Sequence, residues 1–166
     1  YFGYFALYIG FFPKLLQGPI ERAKNLLPQL HKRYEFCYDN VRSGMILFAL
    51  GLLKKTVVAD RIAMVINPIF SDVHSANPLS LFIAIYLYAI QIYADFSGYT
   101  DMAIGSALLF NIKLTENFNK PYSATSVADF WRRWHISFSS WILGYIFRPL
   151  QMVMRKWALI GTAIAL

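Results

Sequence analysis

Residues 79–110 read LSLFIAIYLYAIQIYADFSGYTDMAIGSALLF, and this stretch decides the fold class. It is far longer than the roughly 20 apolar residues that carry a helix across a bilayer. Its apolar halves flank a polar island, Asp95-Phe96-Ser97-Gly98-Tyr99-Thr100-Asp101. Tyr93, Ser97 and Asp101 recur every four residues and would line one helical face. Asp95 falls about 240° around the helix from Asp101, so the two acids form no obvious catalytic pair. Gly98 offers a point at which such a helix can bend.

The rest of the chain agrees with a membrane setting. Of its 166 residues 57% are hydrophobic and 15% charged, against about 25% charged in an ordinary soluble domain. The net charge of +7 comes from Lys and Arg placed between apolar blocks. That is the pattern of cytoplasmic loops rather than of a nucleic-acid surface. No RNA-binding aromatic motif or zinc-ligand spacing competes, so no nucleic-acid partner and no metal are expected. Cys37 is the only cysteine, which excludes an intrachain disulfide. The expected fold is all-α, a multispanning helical membrane protein of the cell membrane in contact with lipid. The chain opens at Tyr1 inside one apolar run and closes at Leu166 inside another, residues 157–166. Residues 1–166 are therefore expected to be part of a single membrane domain truncated at both ends.

Outward from the central stretch, residues 1–12 are apolar and aromatic and suit the end of a membrane helix. Pro19 suits the first turn of an amphipathic helix over 20–27, with Ile20, Ala23 and Leu27 on one face. Between Lys14 and Arg42 stand six Lys/Arg residues and three acids, which places this loop in the cytoplasm. Residues 43–70 are apolar but carry Lys54, Lys55, Asp60 and Arg61. Such charges cost about 2.5–3.5 kcal/mol each at a bilayer centre. Either the charged middle faces protein or water, or the segment is two shorter tilted pieces; snorkelling at a boundary is the preferred explanation. Residues 71–78 lack Lys and Arg and read as an extracytoplasmic loop.

Residues 111–125 are polar, with Asn117, Asn119 and Pro121 as turn signals. Then comes Ser126-Val127-Ala128-Asp129-Phe130-Trp131-Arg132-Arg133-Trp134-His135-Ile136-Ser137. Ser126 followed by Asp129 has the logic of a capping box, which predicts a helix over 127–147 that Pro149 bends or ends. On one helix Trp131, His135 and Ser139 share a face, and Asp129 reaches Arg132 or Arg133. His135 has an unperturbed pKa near neutrality and suits proton transfer from a hydroxyl, with Arg132, Arg133 and Arg148 nearby to position an anion. A membrane-interface belt around a buried histidine explains the same pattern. Ser137, Ser139 and Ser140 lack a nucleophile-elbow motif and read as packing hydroxyls. His31 and His74 read as solvated.

Three blocks carry a family resemblance. They are Phe11-Phe12-Pro13-Lys14-Leu15-Leu16-Gln17-Gly18-Pro19-Ile20-Glu21-Arg22, then Tyr93 to Ala103 around Asp95-Phe96-Ser97-Gly98-Tyr99, and Asn117-Phe118-Asn119-Lys120-Pro121-Tyr122 leading into Asp129 to Ser137. In order and content they resemble the membrane-bound O-acyltransferase family, and within it the bacterial branch of alginate O-acetyltransferases. The resemblance implies a tunnel-forming helix bundle and maps the family's active-site histidine onto His135. Beside it, the residue pattern itself offers Trp131, Arg132, Arg133, Asp95, Asp101 and Ser139 as supporting residues. The arginines would hold the helix at the inner surface or contact an anionic donor, and the acids would organise polar contacts between helices. The resemblance also implies transfer of an acyl group, acetyl in that branch, from a cytoplasmic thioester donor to hydroxyls of an extracytoplasmic polysaccharide such as alginate. The donor would be acetyl-CoA or an acyl carrier protein, with no permanently bound cofactor, and acetylation partner proteins outside the cytoplasm are implied as well. Two features depart from the pattern. The family's second histidine is absent from these residues, and Arg148-Pro149-Leu150-Gln151-Met152 stands where alginate-type members read Ile-Pro-Leu-Gly-Gly. The rival readings are a D-alanyl transferase acting on teichoic acid, a transporter or channel fragment with Asp95 and Asp101 binding a coupling ion, and a structural subunit.

Overall fold

The computed structural model describes residues 2–153, which form helices joined by loops, with no strand among them. In chain order the helices are α1 (Phe2–Ile9), α2 (Ala23–Leu30), α3 (Tyr38–Leu53), α4 (Asp60–Ser71), α5 (Pro78–Leu108), α6 (Val127–Arg133), α7 (Ile136–Ile142) and α8 (Arg148–Val153). Wide turns over Lys54–Ala59 and Leu143–Phe147 join α3 to α4 and α7 to α8 without a break. The described residues form two compact units. The first comprises 2–9, 19–31 and 114–153; the second comprises 10–18 and 32–113.

The second unit is built on α3, α4 and α5. Pro78 opens α5, where its missing N–H would have been unpaired anyway, and the Asn77 side chain accepts from Leu79 N at 2.8 Å. The helix runs 31 residues, and it is the one helix among the described residues long and apolar enough to cross a membrane. Its apolar side chains point outward: Phe82, Ile85 and Tyr86 are about 60% exposed. Such a surface suits lipid or further protein rather than water. The expected multispanning arrangement thus rests, among the described residues, on this single helix.

α3 and α5 meet through glycines. A Cβ on Gly51 would lie 2.5 Å from the Gly98 carbonyl, and one on Gly105 would lie 2.6 Å from the Gly44 carbonyl. The backbones touch at two levels, seven residues apart on each helix, which only the absence of side chains permits. Gly98 is therefore a packing contact inside an unbroken helix, not the bend the sequence suggested. One turn beyond Gly51, Lys54 reaches Asp101 and Lys55 reaches Asp95, each at 2.5 Å, while Lys55 also holds Asp60 at 2.9 Å. Lys54, Lys55 and Asp60 of this charged middle thus face protein, whereas Arg61 is exposed. Snorkelling, the explanation preferred from sequence, is replaced by ion pairs, because α5 brings its two acids opposite the two lysines. At the far end of the same helix pair, Asn40 donates to Asn111 Oδ1 at 2.6 Å, and Asn111 donates to the Glu35 carbonyl at 3.0 Å.

The first unit is irregular. The helix expected over 20–27 instead begins at Ala23 and ends at Leu30, and Leu26 is its fully buried residue. Pro19 does not open it, because residues 20–22 are tied down elsewhere. Ile20 N donates to Ser137 Oγ at 2.9 Å, and buried Glu21 accepts from Thr115 N. Tyr8 Oη donates to the Glu21 carbonyl at 2.8 Å, and Tyr4 of α1 stacks on His31.

Candidate active site

The helix expected over 127–147 is broken in its most informative place. Ser126 Oγ accepts from Asp129 N at 3.1 Å and caps α6, as the motif predicted. Arg133 Nε donates to Asp129 at 2.9 Å, the i+4 partner of the two that were open. At Trp134 the backbone becomes extended, with ψ 130°, and at His135 it is left-handed, with φ 44° and ψ 53°. α7 then starts at Ile136.

Asn117 accounts for the break. Its carbonyl accepts from Ile136 N at 3.0 Å and its Oδ1 accepts from Ser137 N at 3.2 Å, while Asn119 N donates to the Arg133 carbonyl at 3.0 Å. The first N–H groups of a helix have no partner within it. Here a buried asparagine from a distant loop supplies acceptors for two of them, so α7 starts anew without a side-chain cap from His135. The loop that carries Asn117 is itself seated by aromatic packing. Trp134 lies edge-on to Phe118 at 5.0 Å and stacked on Phe130 at 5.4 Å, with Tyr122 alongside at 6.4 Å. A left-handed conformation costs a non-glycine residue about 1–2 kcal/mol, and these contacts on both flanks hold it.

The break changes the proposed constellation. Trp131, His135 and Ser139 do not share a helical face, because Trp131 belongs to α6 and Ser139 to α7. Ser139 N donates to the His135 carbonyl at 3.1 Å, so those two remain one turn apart. Trp131 is exposed and packs on Phe130, and Arg132 is exposed. Arg133 serves Asp129 and the Ser123 hydroxyl. Asp95 and Asp101 belong to the second unit, each bound to a lysine. The ion-site role that a transporter fragment would need is thereby filled by ammonium groups. His135 is half-buried against Phe138, with ring centroids 5.0 Å apart. Burial pushes its imidazole below the ordinary histidine value and so favours the neutral, proton-accepting form. Asp129 is held below the usual carboxylate range by Arg133.

Sequence reasoning missed three participants. Asn117 read only as a turn signal, Ser137 is buried as the acceptor for Ile20, and Arg22 donates to the Ser140 carbonyl at 2.6 Å. The signal was present at the end of the first motif block, residues 19–22, and in the third, which the bond from Ile20 to Ser137 joins within the first unit.

The sequence model of the membrane-bound O-acyltransferase family matches residues 2–162. The chain is 43% identical over 148 residues to a peptidoglycan O-acetyltransferase of Helicobacter pylori, covering 88% of this chain and 28% of that protein. It is 38% identical over 148 residues to a probable alginate O-acetylase of Pseudomonas putida, covering 88% and 30%. It is 31% identical over 154 residues to a teichoic acid D-alanyltransferase of Bacillus subtilis, covering 90% and 39%. The chain thus spans less than two-fifths of the length of these relatives. With all three motif blocks inside the matched region, the chain belongs to the membrane-bound O-acyltransferase family.

Proposed function

We propose that the full-length protein is a multi-pass enzyme of the cytoplasmic membrane that O-acylates a cell-envelope polysaccharide. Residues 1–166 form part of its single tunnel-bearing domain. It moves an acetyl group from a cytoplasmic thioester, on CoA or an acyl carrier protein, to an acceptor hydroxyl outside. Peptidoglycan and alginate are the acceptor types that its relatives' names support. His135 accepts the hydroxyl proton while the oxygen attacks the thioester carbonyl. The thiolate then leaves and is protonated, so ester and thiol replace alcohol and thioester. The observation that carries this reading is the break at His135: α6 and α7 are separated so that one titratable side chain stands at a fixed, left-handed position.

The test compares acetyl esters on isolated envelope polysaccharides by mass analysis, using full-length wild type and His135→Ala. Loss of general-base help predicts a fall of about 100-fold or more at unchanged membrane abundance. Persistent acetylation in the variant would refute the role of His135. A second reading, D-alanyl transfer to teichoic acid, is favoured by the 31% identity to the Bacillus subtilis protein. It predicts D-alanyl rather than acetyl esters in the same assay.

A further inference from the structure

Three short segments of the first unit meet: residues 20–21, residues 115–117, and residues 136–137 at the start of α7. Each gives a side-chain oxygen to the backbone of another. Glu21 Oε1 accepts from Thr115 N. Asn117 Oδ1 accepts from Ser137 N at 3.2 Å. Ser137 Oγ accepts from Ile20 N at 2.9 Å, which returns the path to the residue before Glu21. The circuit is closed. Glu21, Asn117 and Ser137 are also the buried polar side chains of the first unit among its described residues. Buried polar groups persist where each has a partner. Here each partner is a main-chain N–H that no bond within a helix satisfies.

Glu21 is the member that stands apart. A buried carboxylate ordinarily meets a cation, yet Glu21 has no ion pair among the described residues. Arg22 beside it turns to the Ser140 carbonyl at 2.6 Å. What the carboxylate holds is the chain at Thr115, two residues before Asn117. A carboxylate holds a backbone N–H more firmly than a neutral acceptor does. Tyr8 of α1 donates to the Glu21 carbonyl at 2.8 Å and so fixes its main chain in turn.

We infer that Glu21 is a positioning residue for the acyl transfer, setting His135 through Thr115, Asn117 and Ile136. This rests on the reading of His135 as the proton acceptor. The Asn117 carbonyl and side chain fix residues 136–137, and His135 is the left-handed residue immediately before them. Glu21 fixes where Asn117 stands. Because the circuit is closed, opening it at Glu21 loosens the same turn as opening it at Asn117.

The experiment uses the full-length protein and two readouts. The first is acetyl esters on isolated envelope polysaccharides, per unit of protein. The second is modification of His135 by diethyl pyrocarbonate at neutral pH, read by peptide mass analysis with exposed His74 as the reference. Glu21→Ala should lower transfer about 30-fold and raise the His135-to-His74 labelling ratio about fivefold. Glu21→Asp keeps the carboxylate but is shorter by one methylene, so transfer should fall about tenfold and the ratio rise about twofold. Glu21→Gln keeps an oxygen at full reach and should recover most of both. In an Asn117→Leu background, Glu21→Ala should cost less than about threefold more. Where Glu21→Ala fails to accumulate, the Asp and Gln variants decide. Wild-type transfer and labelling in Glu21→Asp, equal losses in Asp and Gln, or losses that multiply with Asn117→Leu would each overturn the role of Glu21. The labelling needs no turnover. Altered labelling in Glu21→Ala, with no acyl ester made even by wild type, would sink the proposed function and leave the link from Glu21 to His135 standing. Unchanged labelling with normal wild-type transfer would sink the link alone.

Discussion

The two units handle polar groups in a greasy chain in opposite ways. In the second unit, charge is neutralised without interrupting the helical chain: Lys54 and Lys55, on the wide turns that join α3 to α4, meet Asp101 and Asp95 of an unbroken α5. In the first unit the helix itself gives way. Asn117 takes the N–H groups of Ile136 and Ser137, and the chain turns left-handed at His135. Pairing two charges makes a firm post that does nothing further. Breaking a helix sets a titratable group at a backbone position that its neighbours hold. Function is therefore expected where regularity fails.

The strongest way to break this contrast is at the post. Gly51→Leu would drive side-chain atoms into the Gly98 carbonyl, and overpacking of this kind costs about 3 kcal/mol. Membrane abundance of the full-length protein, followed by blotting, should collapse. Normal abundance would mean that α3 and α5 do not depend on this contact. At the break the expected effect falls on chemistry instead. Asn117→Leu removes the acceptor for Ser137 N and should lower acetyl transfer about 100-fold, since small misplacements of a catalytic group have effects of that order. Asn117→Asp keeps an Oδ1 acceptor and should recover most of it. Equal loss in both variants would show that hydrogen-bond geometry is not what Asn117 contributes.

A smaller effect sharpens the picture of His135. A base must be neutral to accept a proton, and burial lowers the pKa, so the neutral form persists to lower pH than for a free imidazole. The acidic limb of kcat/KM should therefore fall below about pH 6.5, the unperturbed value. A limb above that value would mean that an opposite charge, not burial, dominates around His135 in the complete protein.

The regular unit was largely legible in the sequence. The apolar run over 79–110 matches α5 to within two residues at each end, because its composition and length agree. Its partners were not legible: the lysines looked like snorkelling groups because nothing in a linear pattern says which acids stand opposite. The irregular unit was readable by motif and not by periodicity. Residues 127–147 have a helical pattern throughout, and only tertiary hydrogen bonds from Asn117 override it. Likewise Pro19 lost its place in the first turn of α2 to the bond between Ile20 and Ser137, 117 residues apart. His135 stays the side chain to test, but the face it was expected to share with Trp131 does not exist.

The left-handed backbone at His135 also means that this position holds a poor residue for stability. Glycine adopts φ 44° without steric cost, so His135→Gly should raise the unfolding midpoint while transfer is lost, with a gain of about 1 kcal/mol. A variant that is sturdier and inert would show a protein accepting a weaker fold at one point in order to keep an imidazole there.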